Sequence, residues 1–265
     1  MTKKTIIFVV AAIMTVSSFA SDFKIGVLNE QHQNLAVSGK YSEAVALYEQ
    51  ISQLPAADYQ KSKGHIYWLI IRQMACKGHL GQFKSVEEAI AFGREQVNRF
   101  GLDEDHTKAV TLRAYGCTGG GWQAVLEQVR TLSAEDLKGD RVSDISAHAY
   151  TNAGVSLDDY EKAIQCGSNS KNWPLVLLAV TRSGNTPLKV KAGNALLDSG
   201  FISVKDYNTA RRFVTAITSN VSAEDAPAVK AFLERANRTW SKYLMDDMDN
   251  WKQAITLIRT TLEAY

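Results

Sequence analysis

The chain has 265 residues, of which 45% are hydrophobic, 22% are charged and only four are prolines. Its 30 basic and 28 acidic residues nearly cancel, which argues against a nucleic-acid partner because phosphate-backbone binding needs a clustered basic surface. The apolar content is ample for a continuous core, and the scarcity of proline leaves long stretches free of helix breakers.

The first twenty residues have the pattern of an export signal. They contain a short basic start at Lys3 and Lys4, an unbroken apolar run over residues 6–14, and a small-x-small cleavage site that ends at Ala20. We therefore predict a signal peptide over residues 1–20, with cleavage after Ala20. An uncleaved membrane anchor is the alternative, but the run is much shorter than the roughly 20 apolar residues that span a bilayer.

The predicted mature chain, residues 21–265, is expected to be a single helical repeat domain without a transmembrane segment. Because the signal holds Lys3 and Lys4 and no acidic residue, its removal leaves equal numbers of basic and acidic side chains. No cysteine follows the apolar run where a bacterial lipid anchor would attach. We therefore expect a soluble exported product, periplasmic or secreted.

The first helix pair is predicted between residues 23 and 53. Residues 23–37 can form one helix, Gly39 marks a turn, and residues 42–53 have the periodicity of a second, amphipathic helix. Four apolar positions share one face of that second helix: Ala44, Leu47, Tyr48 and Ile51. The two segments therefore predict a helix hairpin.

A turn residue, an aromatic residue and an alanine three positions later recur along the chain, and recurrence of this kind is typical of stacked hairpins. The aromatic and alanine pairs are Tyr41 with Ala44, Tyr160 with Ala163, Tyr207 with Ala210, and Trp251 with Ala254. Trp122 begins a less regular copy of the pattern, and Ala89 takes the alanine position in another helix.

The first hairpin resembles a tetratricopeptide repeat through Gly39, Tyr41, Ala44, Tyr48 and Pro55. In that family the small residue lets two helices cross closely, the aromatic fills the space beside it, and the glycine makes the turn between helices. The later copies recur at longer and less regular intervals than the usual period of about 34 residues. The resemblance implies an all-α, right-handed α-solenoid of about six irregular antiparallel helix hairpins.

Five further pairs complete the predicted array. Their first helices are expected over residues 57–75, 105–114, 141–154, 187–198 and 224–245. Their second helices are expected over residues 86–98, 122–132, 159–166, 207–217 and 251–262.

A separate apolar helix is predicted from Asn172 to Val180, with Pro174 near its start and Gly184 after its end. Its even hydrophobicity indicates burial inside the array. A surface that binds a partner is the alternative interpretation of this helix.

The three cysteines leave two interpretations open. One bridge is permitted in an exported chain, and the preferred pair is Cys76 with Cys117, because both fall late in the first helices of consecutive hairpins. The alternative is three buried free thiols, including Cys166, that act as small hydrophobic side chains.

No sequence motif indicates a catalytic, cofactor-binding or metal-binding residue. The spacing of Cys76 and His79 has no second pair to complete a tetrahedral site, so His79 is assigned to a helix C-terminus. Residues 119–121 are three glycines without the lysine and hydroxyl residue of a phosphate-binding loop, which favours a turn between helices. We predict no cofactor.

The leading hypothesis is an exported, non-catalytic protein-binding or scaffolding module with a protein or peptide partner in the cell envelope. The concave surface of the array would hold that partner. The alternative is an exported enzyme or enzyme accessory that acts on cell-envelope polymers. A small-ligand carrier with a pocket near Trp173, Trp240 and Trp251 is a third hypothesis.

Overall fold

A computed structural model describes residues 25–54, 59, 62–245 and 248–264. Within these ranges the chain forms helices and turns and contains no strand, so the prediction of an all-α fold is confirmed. The predicted signal peptide, residues 1–20, and the repeat residue Pro55 lie outside the described residues.

The chain divides into two compact units, Met1–Gln128 and Val129–Tyr265. The first unit contains α1 (residues 25–37), α2 (Tyr41–Ser52), α3 (Lys63–His79), α4 (Val86–Arg99), α5 (Glu104–Tyr115) and nearly all of α6 (Gly121–Val129), with a π-helical segment, Gly116–Gly120, between the last two. The second contains α7 (Asp140–Ala153), α8 (Leu157–Asn169), α9 (Trp173–Ser183), α10 (Thr186–Asp198), α11 (Tyr207–Thr218), α12 (Ala226–Trp240) and α13 (Met248–Glu263). Short 3-10 turns occupy Asp136–Lys138, Val204–Asp206 and Ser241–Leu244.

Polar side chains fix where several helices begin. Ser156 and Asp159 form a capping box at the start of α8, in which each side chain accepts a hydrogen bond from the other residue's backbone N–H. Asn172 and Asn185 cap α9 and α10 through their side-chain oxygens, and a proline follows each cap within the first turn. These starts are therefore encoded locally in the sequence.

The first unit is organised around closely crossing helices. Ala44 and Val45 of α2 form a buried cluster with Cys76 of α3, and Leu35 and Ala36 of α1 pack against it. Further along, α3 packs against both α4 and α5, and α4 packs against α5. Ala44 is completely buried where α1, α2 and α3 meet, so the junction has space for only a small side chain.

The second unit repeats one packing rule from helix to helix. Each of α7 to α11 packs against the next helix and against the one after it, and α12 packs against α13. Ala147, Cys166 and Leu175 form one of the resulting clusters, with one residue from each of α7, α8 and α9. Successive helices therefore share a continuous apolar core.

Helix α9 is largely interior, as its composition predicts. Six of its eleven residues are buried, and each belongs to the apolar run or opens it: Trp173, Leu175, Val176, Leu177, Ala179 and Val180. Leu178 alone among the large apolar residues of this run is exposed. The prediction of burial for α9 is confirmed.

Cationic side chains bind the C-terminal carbonyl groups of neighbouring helices. In the first unit, Arg99 at the end of α4 donates to the carbonyl of Ser52, the last residue of α2. In the second unit, Arg182 of α9 donates to the carbonyl of Thr151 in the last turn of α7. The buried Lys189 of α10 donates to the carbonyl and the hydroxyl of Ser219 after α11, at 3.0 and 3.2 Å. Such contacts satisfy carbonyl groups that have no partner within their own helix.

Candidate binding site

A cavity of about 330 Å³ lies in the first unit, where the end of α3 meets the segment that joins α5 to α6. It is lined by Ala75, Gly78 and His79 from α3 and by Arg113, Gly116, Cys117, Gly119, Gly121 and Trp122 from the joining segment and its flanks. This volume lies within the range of small-molecule sites in proteins.

Glycines shape the backbone around the cavity. Gly119 and Gly121 adopt φ values of 100° and 57°, which residues with side chains rarely adopt, and they allow α5 to end and α6 to start within a few residues. Gly78 of α3 lies so close to the segment that an added Cβ would be 2.3 Å from the carbonyl oxygen of Cys117. A Cβ on Gly116 would lie 2.5 Å from Nη1 of Arg113. The cavity therefore depends on the absence of side chains at these glycines.

Arg113 is the charged residue of this cavity and is 9% exposed. Its guanidinium carbon lies 4.6 Å from the ring centre of Trp122, a cation–π arrangement. Its Nε and Nη1 atoms are buried and have no hydrogen-bond partner among the described residues. Buried donors are normally hydrogen-bonded, because an unsatisfied one costs about 1–3 kcal/mol. These two nitrogens are enclosed by the surrounding residues and do not face the open space of the cavity.

His79 borders the same cavity at the end of α3. Its imidazole stacks on the ring of Tyr41 with centres 4.5 Å apart and planes 7° from parallel. Its position in the last turn of α3 agrees with the interpretation of His79 as a helix C-terminal residue. Tyr41, a predicted repeat aromatic, therefore packs against a residue that lines the cavity.

Cys76 and Cys117 are both buried near this region, and both are free thiols, as is Cys166. The preferred bridge between Cys76 and Cys117 is therefore not present in this structure, and the alternative of buried free cysteines describes all three. Burial raises the pKa of Cys76 to about 11 and also raises the pKa of Cys117. The Cys117 thiol donates a hydrogen bond to the carbonyl of Arg113 at 3.4 Å. Protonated thiols of this kind are poor nucleophiles.

A buried polar network in the same unit lies, apart from the repeat residue Tyr48, on residues that the sequence did not single out. His32 of α1 is fully buried, and its Nε2 lies 3.2 Å from Oε1 of Gln73. Arg72 donates to the backbone carbonyl of Asn29 at 2.9 Å and to its side-chain oxygen. Tyr48 donates to Oε1 of Gln96 at 3.1 Å. These bonds join α1 to α3 and α2 to α4, so they are best explained as structural links.

The predicted repeat positions lie in the joints between helices. All five alanines are fully buried: Ala44, Ala89, Ala163, Ala210 and Ala254. Gly39 has a φ of 74° in the turn between α1 and α2. Tyr41, Trp122, Tyr160 and Tyr207 are partly buried, and Trp251 is fully buried. Two of these residues lie at the cavity, since Trp122 lines it and Tyr41 stacks on His79 in its lining.

The three tryptophans proposed for a small-ligand pocket are core side chains. Trp173 packs against Phe201 and Phe213, and Trp240 packs against Trp251. The indole N–H of Trp251 donates to the carbonyl of Val204 at 2.7 Å.

Two kinds of site are absent from the described part of the chain. No group of three or more histidine, cysteine, aspartate or glutamate side chains there could hold a metal ion. None of the helices described is both long enough and apolar enough to cross a bilayer.

No protein-family model, no curated protein and no solved structure matches this chain.

Proposed function

We propose that the chain is an exported, non-catalytic protein-binding or scaffolding module, built as a tetratricopeptide-like, right-handed α-solenoid of irregular helix hairpins. The observation that carries this proposal is the packing rule of the second unit, where each helix from α7 to α11 packs on the next two. A stack of hairpins produces this pattern, because each new helix covers the pair before it.

The buried alanines support the same proposal. Residues of this size at five repeat positions, all without solvent exposure, are what close helix crossings require. Since these positions are occupied by packing, recognition belongs to the exposed positions between them. We propose that the concave surface of the array holds a protein or peptide of the cell envelope.

The environments of two titratable groups with shifted pKa values, Asp159 and His32, support a non-catalytic role. Hydrogen bonds from Arg130 and Ser156 outweigh the effect of burial on Asp159 and hold its pKa at about 2, but that carboxylate caps α8. Burial lowers the pKa of His32 to about 4 within the link between α1 and α3. These shifts have structural causes and do not indicate an acid–base pair.

Crosslinking in the native envelope, followed by affinity capture of the chain, tests the proposed function. We expect one or a few partners whose recovery is abolished by an excess of the purified, unlabelled chain. Recovery of the same set with an unrelated exported helical protein of similar size would contradict the proposal.

A further inference from the structure

We infer that acid releases helix α1 from the first unit, with protonation of His32 as the event that triggers the release. This device is independent of the proposed capture of a protein partner, because it concerns the docking of one helix. It begins from the polar contacts that hold α1 on α3. Arg72 donates to the backbone carbonyl of Asn29 at 2.9 Å and to its side-chain oxygen at 2.5 Å, and Nε2 of His32 lies 3.2 Å from Oε1 of Gln73.

The neutral imidazole of His32 uses both of its ring nitrogens. Nδ1 lies 3.5 Å from Nη1 of Arg72, and a guanidinium group can only donate, so Nδ1 is the acceptor. Nε2 then carries the hydrogen and donates to Gln73. A proton on Nδ1 would replace this acceptor with a second donor and would place a second cation beside Arg72. The geometry therefore fits the neutral form of His32 and opposes the charged form.

The neighbouring helices offer the charged form of His32 no compensation. From α2, the ring of Tyr48 meets the imidazole edge-on with centres 6.3 Å apart, but its hydroxyl donates to a side chain of α4. Glu95 and Arg99 of α4 act electrostatically on Tyr48. Among the described residues, Arg72 is the charged group that acts on His32, and its charge opposes protonation.

Two further titratable groups belong to the helices that meet here. Glu30 of α1 is exposed, so water screens its charge. Burial raises the pKa of the Cys76 thiol of α3 to about 11, so this group is neutral at physiological pH. Neither group therefore stabilises an imidazolium in the joint.

Acid shifts the docking equilibrium of α1 towards release. His32 is fully buried in the docked helix, and burial is the main cause that lowers its pKa to about 4. In a released α1 the imidazole is hydrated and has the ordinary histidine pKa of about 6.5. The released helix thus takes up a proton more readily than the docked one. Docking is complete at neutral pH and weakens as the pH falls through 6.5 towards 4.

Helix α1 has fewer buried residues than the helix on which it lies. Two of its residues are buried, Ile25 and His32, whereas α3 has eight buried residues. Segments with few buried apolar contacts open at a lower free-energy cost than the whole domain. We therefore expect protonation of His32 to free α1 while α3, α4 and α5 stay folded.

Release of α1 would uncover an apolar surface on α2 and α3. Leu35 and Ala36 of α1 pack on the buried cluster of Ala44, Val45 and Cys76. Without α1 this cluster is accessible to solvent. The acid-released form thus presents an apolar face that the neutral form covers.

A purely structural role for His32 makes a different prediction. If its protonation only lowers the stability of the unit as a whole, every helix of the unit becomes less protected from exchange to the same extent. The pattern of loss along the chain therefore distinguishes local release from general destabilisation.

Hydrogen–deuterium exchange of the full chain at pH 7 and pH 5, followed by mass spectrometry, tests the inference. Protection factors are compared, because they remove the pH dependence of the chemical exchange step. We expect the protection of residues 26–37 to fall by at least about tenfold at pH 5, as a histidine pKa of about 4 in the docked helix requires. Protection of α4 and α5 should change less than about twofold.

Two histidine variants identify the group that responds. His32→Gln should abolish the pH dependence of α1 protection, even if it also weakens docking at both pH values. His65→Gln is the matched control, since Nδ1 of the exposed His65 lies 3.3 Å from Nδ2 of Asn29 at the same joint. This variant should retain the loss of protection at pH 5.

Three results would overturn the inference: equal protection of α1 at pH 7 and pH 5, equal losses in α1, α4 and α5, or an undiminished loss in His32→Gln. Disappearance of the loss in His65→Gln alone would also contradict it, because the trigger would then be the exposed histidine. None of these results bears on the crosslinking test, which measures protein partners.

Discussion

The imidazole of His32 is buried between Gln73, Arg72 and Tyr48, and its protonation is therefore linked to folding. Burial is the main cause that lowers its pKa to about 4; the hydrogen bond with Gln73 opposes this shift, and the charge of Arg72 adds to it. A base with a lowered pKa takes up a proton more readily in the unfolded chain than in the folded one. The neutral His32 side chain thus makes its full contribution to the free energy of unfolding at neutral pH, and this contribution is lost as the pH falls.

We predict that the free energy of unfolding decreases by up to about 3 kcal/mol between pH 6.5 and pH 4 because of His32. Urea denaturation at intervals across this range measures the slope, and His32→Gln should flatten it. His79→Gln, which changes an exposed histidine, is the control and should retain the slope. Parallel curves for the wild-type chain and His32→Gln would show that the slope has another origin.

Two adjacent aspartates in the first turn of α8 have unequal roles. Asp159 is buried and accepts hydrogen bonds from Arg130 at 2.8 Å and from the backbone N–H groups of Val155 and Ser156 at 3.1 and 3.2 Å. Asp158 is exposed and pairs only with Lys162 among the described residues, one turn later at 2.8 Å. Only Asp159 closes the capping box.

We predict that Asp159→Ala lowers the free energy of unfolding by about 2–3 kcal/mol, because a helix cap and a charge-assisted hydrogen bond are lost together. Asp158→Ala makes the same charge change and should cost less than about 0.5 kcal/mol, as is typical of exposed ion pairs. Chemical denaturation at neutral pH compares the two variants. Equal losses would contradict the distinction.

At the scale of the helices, the joint at Ala44 is the clearest target. A larger side chain at this fully buried position must displace the cluster of Val45, Cys76, Leu35 and Ala36. We predict that Ala44→Leu lowers the free energy of unfolding by about 1–3 kcal/mol.

Ala46→Leu is the matched control for the Ala44 prediction. It introduces the same side chain on the same helix at an exposed position, where helix propensities of alanine and leucine differ little. Thermal melting of both variants provides the comparison. An unchanged melting temperature for Ala44→Leu would show that α1, α2 and α3 do not cross closely at this residue.

The helices were predictable because their signals are local. The sequence predicted a helix over residues 187–198, and the structure has one at Thr186–Asp198. Residues 207–217 were predicted likewise, and the structure has Tyr207–Thr218. The predicted helix over residues 224–245 was too long, since α12 ends at Trp240 and a 3-10 turn follows. No proline or glycine marks that end in the sequence.

The cavity was not predictable in the same way. The three glycines were visible and favoured a turn between helices, but Arg113 precedes them as an ordinary cation near a helix C-terminus. Its burial, its stacking on Trp122 and the approach of Gly78 all arise from tertiary packing. His32 and Gln73 form a pair only because α1 and α3 meet. Single-sequence periodicity contains no information about such contacts.

At the scale of the whole molecule, export is the prediction with the most direct test. Intact-mass measurement and N-terminal sequencing of the chain recovered from the envelope fraction should show a product that begins at Ser21, because cleavage is expected after Ala20. Replacing Ala20 with a bulky residue should block processing and leave the precursor uncut. A full-length product in the cytoplasm would contradict both the signal and the proposed site of action.

The hydrogen bonds from arginine side chains to the terminal carbonyls of other helices affect which deletions the chain can tolerate. Arg99 belongs to α4 but donates a hydrogen bond to a terminal carbonyl of α2. Arg182 belongs to α9 but donates one to a terminal carbonyl of α7. Deletion of α4 alone would leave a terminal carbonyl of α2 without this donor, and deletion of α9 alone would do the same to α7. In both cases the apolar contacts of the deleted helix would also be lost. We therefore expect a deletion to be tolerated better when the donor helix and the recipient helix are removed together than when either is removed alone.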